Sequence, residues 1–168
     1  GESTMRGIEA DITFLALQNL MLTLNYAYLD TEVTKASDVF GNDVSDDFVF
    51  FSAPEQSYTA SADWLISQQS WGLLSLNVSY NYMDSRNGGA QASNVPNTKL
   101  GAYQLLNSRL SLSDIPVGKS GSLNFGLWGK NLADEEYEIT AVDNLPHADR
   151  AVLWGEPRTY GLDVIYRY

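Results

Sequence analysis

The sequence contains no cysteine, a single histidine, and only ten lysine and arginine residues against 21 aspartate and glutamate residues. Without cysteine, the chain has neither a disulfide framework nor a thiolate zinc site. The formal net charge of -11 argues against nucleic acid or anionic lipid as a partner of the whole surface, because basic residues are needed to neutralise phosphates. No run of about 18 apolar residues occurs, which excludes an α-helical membrane span.

No catalytic or metal-binding constellation is visible. His147 is the only histidine, and the serines have no base nearby in the sequence, so a catalytic triad lacks parts. We therefore predict that the protein is not an enzyme and that it has no catalytic residue, no cofactor-binding residue and no metal ligand. His147 falls in a long predicted loop, where a solvated side chain is the first expectation and contact with a ligand the alternative.

Apolar and polar residues alternate along much of the chain. The composition is 44% hydrophobic and 12% aromatic. The last twelve residues show the alternation most clearly, because from Tyr160 onward one face is apolar or aromatic throughout and Ile165 is the only apolar residue on the other face. A mean hydropathy of -0.21 is compatible with a membrane barrel, since half of each spanning strand faces a polar interior. The residues of the apolar face are Tyr160, Leu162, Val164, Tyr166 and Tyr168.

The same alternation predicts seven antiparallel strands of about ten residues, connected alternately by short turns and long loops. This length suits strands that cross a bilayer at a tilt, and the alternating connections are typical of outer-membrane barrels. The fifth strand is irregular, because Tyr103 and Leu105 are out of phase with the leucines that follow, and a bulge would restore the phase. The predicted strands cover about 5–15, 20–30, 56–67, 72–84, 103–113, 122–132 and 157–168.

Aromatic residues are predicted at both ends of the apolar faces, with aliphatic residues between them. Amphipathic rings prefer the headgroup level of a membrane, so this distribution predicts two aromatic girdles. Tyr103 is assigned to the outer girdle on the same grounds. The further membrane-interface aromatics are Tyr26, Tyr28, Tyr58, Trp64, Tyr80, Tyr82, Tyr160 and Tyr168. On the polar faces, the charged residues predicted to face the interior are Glu9, Asp11, Asp63, Arg109, Lys130, Asp163 and Arg167.

The first long loop, at about 32–53, is acidic. Asp38, Asp43, Asp46 and Asp47 surround Gly41-Asn42, and a solvated loop is the first expectation because the order does not follow the EF-hand pattern of a Ca²⁺ site. Nearby aromatic residues either add a surface for an apolar or aromatic ligand or pack the loop onto its neighbours. These aromatics are Phe40, Phe48, Phe50 and Phe51.

Three segments resemble the carboxy-terminal barrel region of TonB-dependent outer-membrane receptors. They are Arg6-Gly7-Ile8-Glu9, the run from Lys130-Asn131-Leu132 to Asp134 and Tyr137, and Pro157-Arg158-Thr159-Tyr160-Gly161 with the terminal aromatic Tyr168. The resemblance covers essentially the whole chain. It implies that residues 1–168 are the carboxy-terminal portion of a barrel of about 22 strands, with the plug domain and the earlier strands absent.

The resemblance also implies a function and a set of partners. The complete receptor would import a scarce nutrient through the outer membrane of a Gram-negative bacterium with TonB-derived energy, a ferric siderophore first, with cobalamin or an oligosaccharide as further possibilities. Its partners would be membrane lipid, the plug, the remaining strands, the TonB complex and the small-molecule substrate. The outer-membrane assembly machinery would read the terminal strand through Tyr160, Leu162, Val164, Tyr166 and Tyr168. The charges on the polar face would hold the plug.

Two other classes fit parts of the pattern. A small standalone outer-membrane barrel could serve as a structural protein, an adhesin or a passive pore, but a complete one should have an eighth strand and none is evident before Met5. A soluble β-barrel that binds a ligand in its interior is the third class, and partitioning of the chain without detergent distinguishes it.

Overall fold

The computed structural model describes residues 1–88, 99–144 and 149–168. These ranges are β-structure and connections, apart from a single 3₁₀ turn at Ser45–Asp47. No helix in the described part is long and apolar enough to cross a membrane. The strands are β1 (Glu2–Leu17), β2 (Leu20–Lys35), β3 (Gln56–Gln69), β4 (Gly72–Met83), β5 (Arg86–Asn87), β6 (Lys99–Leu100), β7 (Tyr103–Val117), β8 (Gly121–Lys130), β9 (Glu138–Asn144), β10 (Asp149–Trp154) and β11 (Thr159–Arg167).

One antiparallel sheet of seven strands dominates the molecule, in the order β1-β2-β3-β4-β7-β8-β11. These are the seven strands that the sequence predicts, and the meander is confirmed. β1 and β2 are longer than predicted, at 16 residues each, because their pairing continues as far as Glu2 opposite Lys35. β-branched residues in β2, such as Thr31 and Val33, favour this extended conformation.

The pairing register sorts side chains onto the two predicted faces, because residues directly opposite one another lie on the same side of a sheet. Tyr26, Tyr58 and Tyr82 are consecutive partners across β2, β3 and β4. The row next to them, Asn25, Thr59 and Asn81, lies on the other side. The sheet therefore has one apolar face and one polar face.

The register corrects two expectations about β7. Tyr103 pairs with Met83, and the β4–β7 ladder runs without interruption to Ser113, so no bulge restores the phase within that stretch. Tyr103 and Leu105 therefore lie on the polar face, and the assignment of Tyr103 to an apolar-face girdle is wrong. The irregularity occurs further along, between Leu112 and Ile115 against β8, where Asp114 has a φ of 56°.

The two ends of the sheet differ. At one end, short turns connect β1 to β2, β3 to β4 and β7 to β8, and Gly118 supplies the positive φ of 65° that the last of these turns requires. At the other end, called the mouth, lie the long connections 36–55, 84–102 and 131–158. Two strand pairs that the sequence analysis missed, β5–β6 and β9–β10, form within the second and third of them.

The apolar face of the sheet remains exposed, whereas a small core lies at the mouth. Ile8 is 65% exposed and Leu162 is 66% exposed. Among the described residues, the only fully buried apolar side chains are Leu100 and Ala141, and these belong to β6 and β9. A sheet with an exposed apolar face of this size requires an apolar environment on that side, which a bilayer supplies.

Candidate functional site: the polar wall and its mouth

The polar face of the sheet, called the wall, is covered by neighbouring polar side chains that hydrogen-bond across strands. The Thr59 hydroxyl donates to Asn81 Oδ1 at 2.9 Å, and Asn77 Nδ2 donates to Asp63 Oδ1 at 2.7 Å. A cavity of about 480 Å³ opens on this face towards the mouth, and Glu9, Asp11, Asn25, Thr59, Asn81, Met83, Tyr103 and Leu105 line it. The wall is therefore recessed and wettable, with two carboxylates on β1 at its edge.

An ion pair ties three strands of the wall together. Arg109 on β7 reaches across β8 and donates to Asp163 Oδ2 on β11 at 2.7 Å, while Trp128 Nε1 donates to Asp163 Oδ1 at 3.2 Å. Gly126 makes this crossing possible, because a Cβ there would overlap the Arg109 guanidinium. Gly161 plays the same part for Trp128, since its Cβ would lie 2.5 Å from the indole ring.

At the mouth, Arg86 connects the second and third long connections. Its side chain is buried, with 7% exposed, and Nη2 donates to the carbonyl oxygens of Ile139 at 2.9 Å and Glu138 at 3.2 Å. The guanidinium carbon lies 5.6 Å from the ring centroid of Tyr103, which stacks on Tyr137 at 4.6 Å. We call β5, β6, β9 and β10, together with these two rings, the mouth module.

Two further contacts complete the mouth module. Arg150 donates to both carboxylate oxygens of Glu138, at 2.7 and 2.6 Å, and these hydrogen bonds hold the pKa of Glu138 below its usual range. The backbone N–H of Ser52 donates to the Asn87 carbonyl at 2.8 Å, which attaches the first long connection as well. All three long connections are thus joined through the two-residue strand β5.

A buried asparagine explains why two of the resembling motifs occur together. Asn131 is 3% exposed with a φ of 48°, and its amide accepts from the Glu135 N–H and donates to the carbonyls of Glu135 and Glu156. Asp134 accepts from the backbone N–H of Arg158 at 3.2 Å and pairs with its guanidinium at 3.3 Å. The Asn131 motif and the Pro-Arg-Thr motif are therefore joined by hydrogen bonds and an ion pair between the end of β8 and the start of β11. We call these contacts the Asn131 cluster.

The first long connection contains a turn that is closed by hydrogen bonds to Asp38 and has apolar residues at its tip. Asp38 Oδ1 accepts from the backbone N–H groups of Phe40 and Asn42 at 2.8 and 2.9 Å, and Oδ2 accepts from Asn42 Nδ2 at 2.8 Å. These bonds lower the pKa of Asp38, with the Asn42 side chain as the largest cause, and Ser45 lowers the pKa of Asp43 in the same way. Phe40 is 86% exposed, whereas Phe48, Phe50 and Phe51 line an apolar recess of about 350 Å³ beside Val33.

The structure brings together some of the residues predicted from the sequence and leaves others apart. Arg109 and Asp163 form an ion pair, and Glu9 and Asp11 share a cavity. Among the described residues, no group of three acidic or histidine side chains is placed to hold a metal ion. His147 lies outside the described residues. Asp63, Lys130 and Arg167 share the wall without meeting one another.

Sequence reasoning missed Arg86 and Trp128 as structural centres. Nothing in the local sequence distinguishes Arg86, because its burial depends on β9, which lies more than fifty positions away. The position of Trp128 could have been predicted. It directly follows Leu127, which lies on the apolar face, so the alternation of side chains along a strand places Trp128 on the wall.

Six of the predicted interface aromatics lie on the apolar face near the mouth, whereas Trp64 and Tyr168 lie towards the short-turn end. The ring centroids of Tyr58 and Tyr82 lie 5.0 Å apart and those of Tyr58 and Tyr80 lie 6.0 Å apart, and the Tyr80 hydroxyl donates to Gln104 Oε1 at 2.5 Å. Tyr160 is 78% exposed at the same end, and Tyr168 is fully exposed at the other. A sheet of this length with one apolar face, one polar face and tyrosines gathered at its mouth end defines a wall segment of an outer-membrane barrel.

Comparison with known proteins identifies the family. Residues 1–132 match the family described as TonB dependent receptor-like, beta-barrel, and the chain belongs to this family of outer-membrane transport receptors. The predicted resemblance and the outer-membrane location are thereby confirmed.

Two solved structures with the same fold are receptors for ferric siderophores. The ferric preacinetobactin receptor from Acinetobacter baumannii is 22% identical with a TM-score of 0.71, and the match covers 98% of this chain and 22% of that one. The ferric yersiniabactin uptake receptor from Yersinia pestis is 18% identical with a TM-score of 0.74, covering 99% of this chain and 24% of that one. The chain thus spans about a quarter or less of the length of these receptors.

Proposed function

We propose that this chain forms the carboxy-terminal seven strands of a receptor barrel that imports a ferric siderophore with TonB-derived energy. The observation that carries the proposal is the combination of seven spanning strands, a recessed polar wall and a structured mouth at one end only. A passive wall needs no structured mouth. A receptor needs one, because its ligand is captured at the outer surface before it passes inward.

The edges of the sheet support a larger barrel. β1 and β11 each pair on one side only, and they do not pair with each other in the described part of the chain. In lipid, each backbone group left without a partner costs several kcal/mol, so both edges require further strands. This favours the receptor over a small standalone barrel, which would close upon itself. The exposed apolar face likewise disfavours a soluble ligand-binding barrel.

Ferric siderophores are the substrate class we favour, with cobalamin and oligosaccharides as less favoured alternatives. The structural neighbours named above are receptors for ferric siderophores, and they share the fold of this chain over almost all of its length. Within the proposed receptor, the wall faces a plug domain, the tyrosine-rich ends mark the membrane interfaces, and the alternating face of β11 from Tyr160 to Tyr168 is read by the assembly machinery.

The test uses the complete reading frame that encodes this chain, expressed in a bacterial strain that lacks its own ferric siderophore receptors. We expect growth on iron-limited medium to be restored by at least one class of ferric chelate, and to be lost again when TonB is removed. Growth that does not depend on TonB would indicate a passive pore. Absence of growth with catecholate, hydroxamate and mixed-ligand chelates would contradict siderophore import.

A further inference from the structure

The cavity of about 480 Å³ in the wall, called the wall cavity, extends across the strands and differs between its two ends. The pairing register aligns β1, β2, β3, β4 and β7 across it. One end carries the carboxylates of β1, the floor includes small side chains, and the other end is largely apolar. In that order, the residues are Glu9 and Asp11, Ala27 and Ser57, and Tyr103 and Leu105.

The carboxylates of the wall cavity have no counter-ion. Glu9 and Asp11 are exposed, and neither forms an ion pair or a hydrogen bond within the part of the chain that the structure describes. No lysine, arginine or histidine is found among the described residues that line the cavity. A carboxylate accepts hydrogen bonds and donates none, so this end of the cavity is suited to a cationic donor.

Four basic side chains at the mouth already have partners. The guanidinium of Arg86 is buried against backbone carbonyls, and three others form ion pairs with acidic residues. Lys99 and Lys130 form no ion pair within the described ranges, but neither lines the wall cavity. The basic charge of the mouth is therefore largely neutralised within the protein. The three ion pairs are Lys35 with Glu2, Arg150 with Glu138, and Arg158 with Asp134.

The first long connection adds negative charge beside the wall cavity. Residues 36–55 contain five acidic residues and no basic residue. A neighbouring recess of about 500 Å³ shares Glu9 and Ser57 with the wall cavity and extends to Pro54 in this connection. Arg6 also borders that recess, but the register places it opposite Asp30 on the other face of the sheet. A cleft with charge of one sign concentrates ligands of the opposite sign.

We propose that the receptor selects ferric chelates that carry a positive charge, and that the wall cavity holds a protonated amine of the chelate at Glu9 and Asp11. This inference rests on the proposed function, which supplies a ferric chelate as the ligand. The cavity volume lies within the range of about 300–1,000 Å³ that small-molecule sites occupy. A ferric tricatecholate would bring further negative charge to these carboxylates, whereas a trihydroxamate with a free ammonium group would neutralise them.

The first experiment measures binding of three ferric chelates to the complete receptor in outer-membrane vesicles. Ferrioxamine B carries a free ammonium group, N-acetyl-ferrioxamine B is the matched neutral probe, and ferric enterobactin is anionic. Ferrioxamine B should bind about tenfold or more tightly than its acetylated form, because a hydrogen bond between charged groups contributes about this factor. Ferrioxamine B that does not bind, or that binds no better than either other probe, would overturn the proposal.

The second experiment assigns the preference to the two carboxylates. The double variant Glu9→Gln with Asp11→Asn should lose about tenfold in affinity for ferrioxamine B and keep the wild-type affinity for the acetylated form. Asp114→Asn, which removes an exposed carboxylate near the short-turn end, is the matched control and should keep the preference. All variants are compared as receptor that runs as folded in unheated gels.

A role for these carboxylates in holding the plug is tested in the same samples. If the double variant accelerates protease cleavage of the plug and binds both forms of ferrioxamine B with wild-type affinities, the carboxylates hold the plug and the proposal is refuted. If cleavage stays at the wild-type rate while the preference for ferrioxamine B disappears, the proposal is supported. The single variants Glu9→Gln and Asp11→Asn should each lose part of the preference.

The outcomes also separate this proposal from the import function. A receptor that restores TonB-dependent growth with ferric enterobactin but not with ferrioxamine B refutes the charge selection and leaves import standing. A receptor that prefers ferrioxamine B in vesicles but restores no growth with any ferric chelate refutes siderophore import and leaves the wall cavity standing as a cation-selective site.

Discussion

The sheet and the mouth module are held together by different means. The seven-stranded sheet has no buried apolar side chain in its described residues, and it is maintained by backbone ladders, by contacts along its wall and by the environment on its apolar face. The mouth module contains the two buried apolar residues, Leu100 and Ala141, and the buried Arg86. The stability of the sheet depends on its surroundings, whereas the stability of the mouth module depends on its own packing. A substitution in one part should therefore leave the stability of the other unchanged.

The largest separation is expected from Leu100→Ala. Removal of a buried leucine side chain costs about 2–5 kcal/mol, and the loss should be confined to the mouth. Hydrogen exchange should rise in β5, β6 and β9 while the amides of β3 and β4 remain protected. Leu162→Ala, at a position 66% exposed on the apolar face, is the control. Equal loosening of the sheet and the mouth by Leu100→Ala would show that they form one cooperative unit.

Asn131→Ala tests the junction between the two parts. The substitution removes side-chain hydrogen bonds to Glu135 and Glu156 and leaves their carbonyls without a partner, at about 3 kcal/mol in total. The expected result is a lower midpoint of denaturant unfolding and faster exchange at the start of β11. Asn81→Ala, which loses a single side-chain hydrogen bond to Thr59, should have a much smaller effect. An unfolding midpoint equal to wild type would show that the Asn131 cluster does not stabilise the fold.

Gly126→Ala tests the sheet alone. A methyl group there overlaps the Arg109 guanidinium and forces it away from Asp163, so the loss should equal what this partly exposed ion pair contributes, about 1 kcal/mol or less. Heat-modifiable gel mobility should report a lower unfolding temperature with the mouth module unchanged. Gly101→Ala, where a Cβ meets nothing within 4 Å, is the matched control. The idea fails if both variants behave alike.

A double-mutant cycle measures the Arg109–Asp163 pair itself. Because the side chains are 42% and 40% exposed, a coupling energy of about 1 kcal/mol or less is expected. The measurement compares unfolding midpoints of Arg109→Ala, Asp163→Ala and the double variant. Coupling indistinguishable from zero would mean that Trp128 and the backbone ladder, rather than the ion pair, hold β11 in this part of the wall.

The smallest effect is expected from pH at the mouth. Arg150 lowers the pKa of Glu138 in the folded protein, so the carboxylate contributes stability above its unfolded pKa of about 4.3, and that contribution is lost as pH falls through the lower, folded value. Hydrogen exchange in β9 should therefore rise below about pH 4 in wild type. Glu138→Gln should remove this pH dependence. A dependence that survives the substitution would assign it to another group.

The architecture of the sheet was predictable from the sequence, and that of the mouth was not. Period-2 alternation and the placement of turn residues depend on neighbours in sequence, so the strands and their faces could be predicted. The phase of Tyr103 was misread because a lone aromatic residue suits either face. Arg86, Leu100 and Ala141 become buried only when distant loops pack together, and no local pattern records that event.

The Asn131 cluster affects which parts of the chain can change in sequence and length. It holds the end of β8 beside the start of β11, so the 28-residue connection 131–158 leaves and returns at one fixed point. The entropy of closing a loop grows only slowly with its length. The pairing of β8 with β11 therefore does not depend on the sequence of the connection. Insertions or replacements between β9 and β10 should alter the outer surface without disturbing the sheet. Variation in the connection and stability of the sheet are thereby uncoupled.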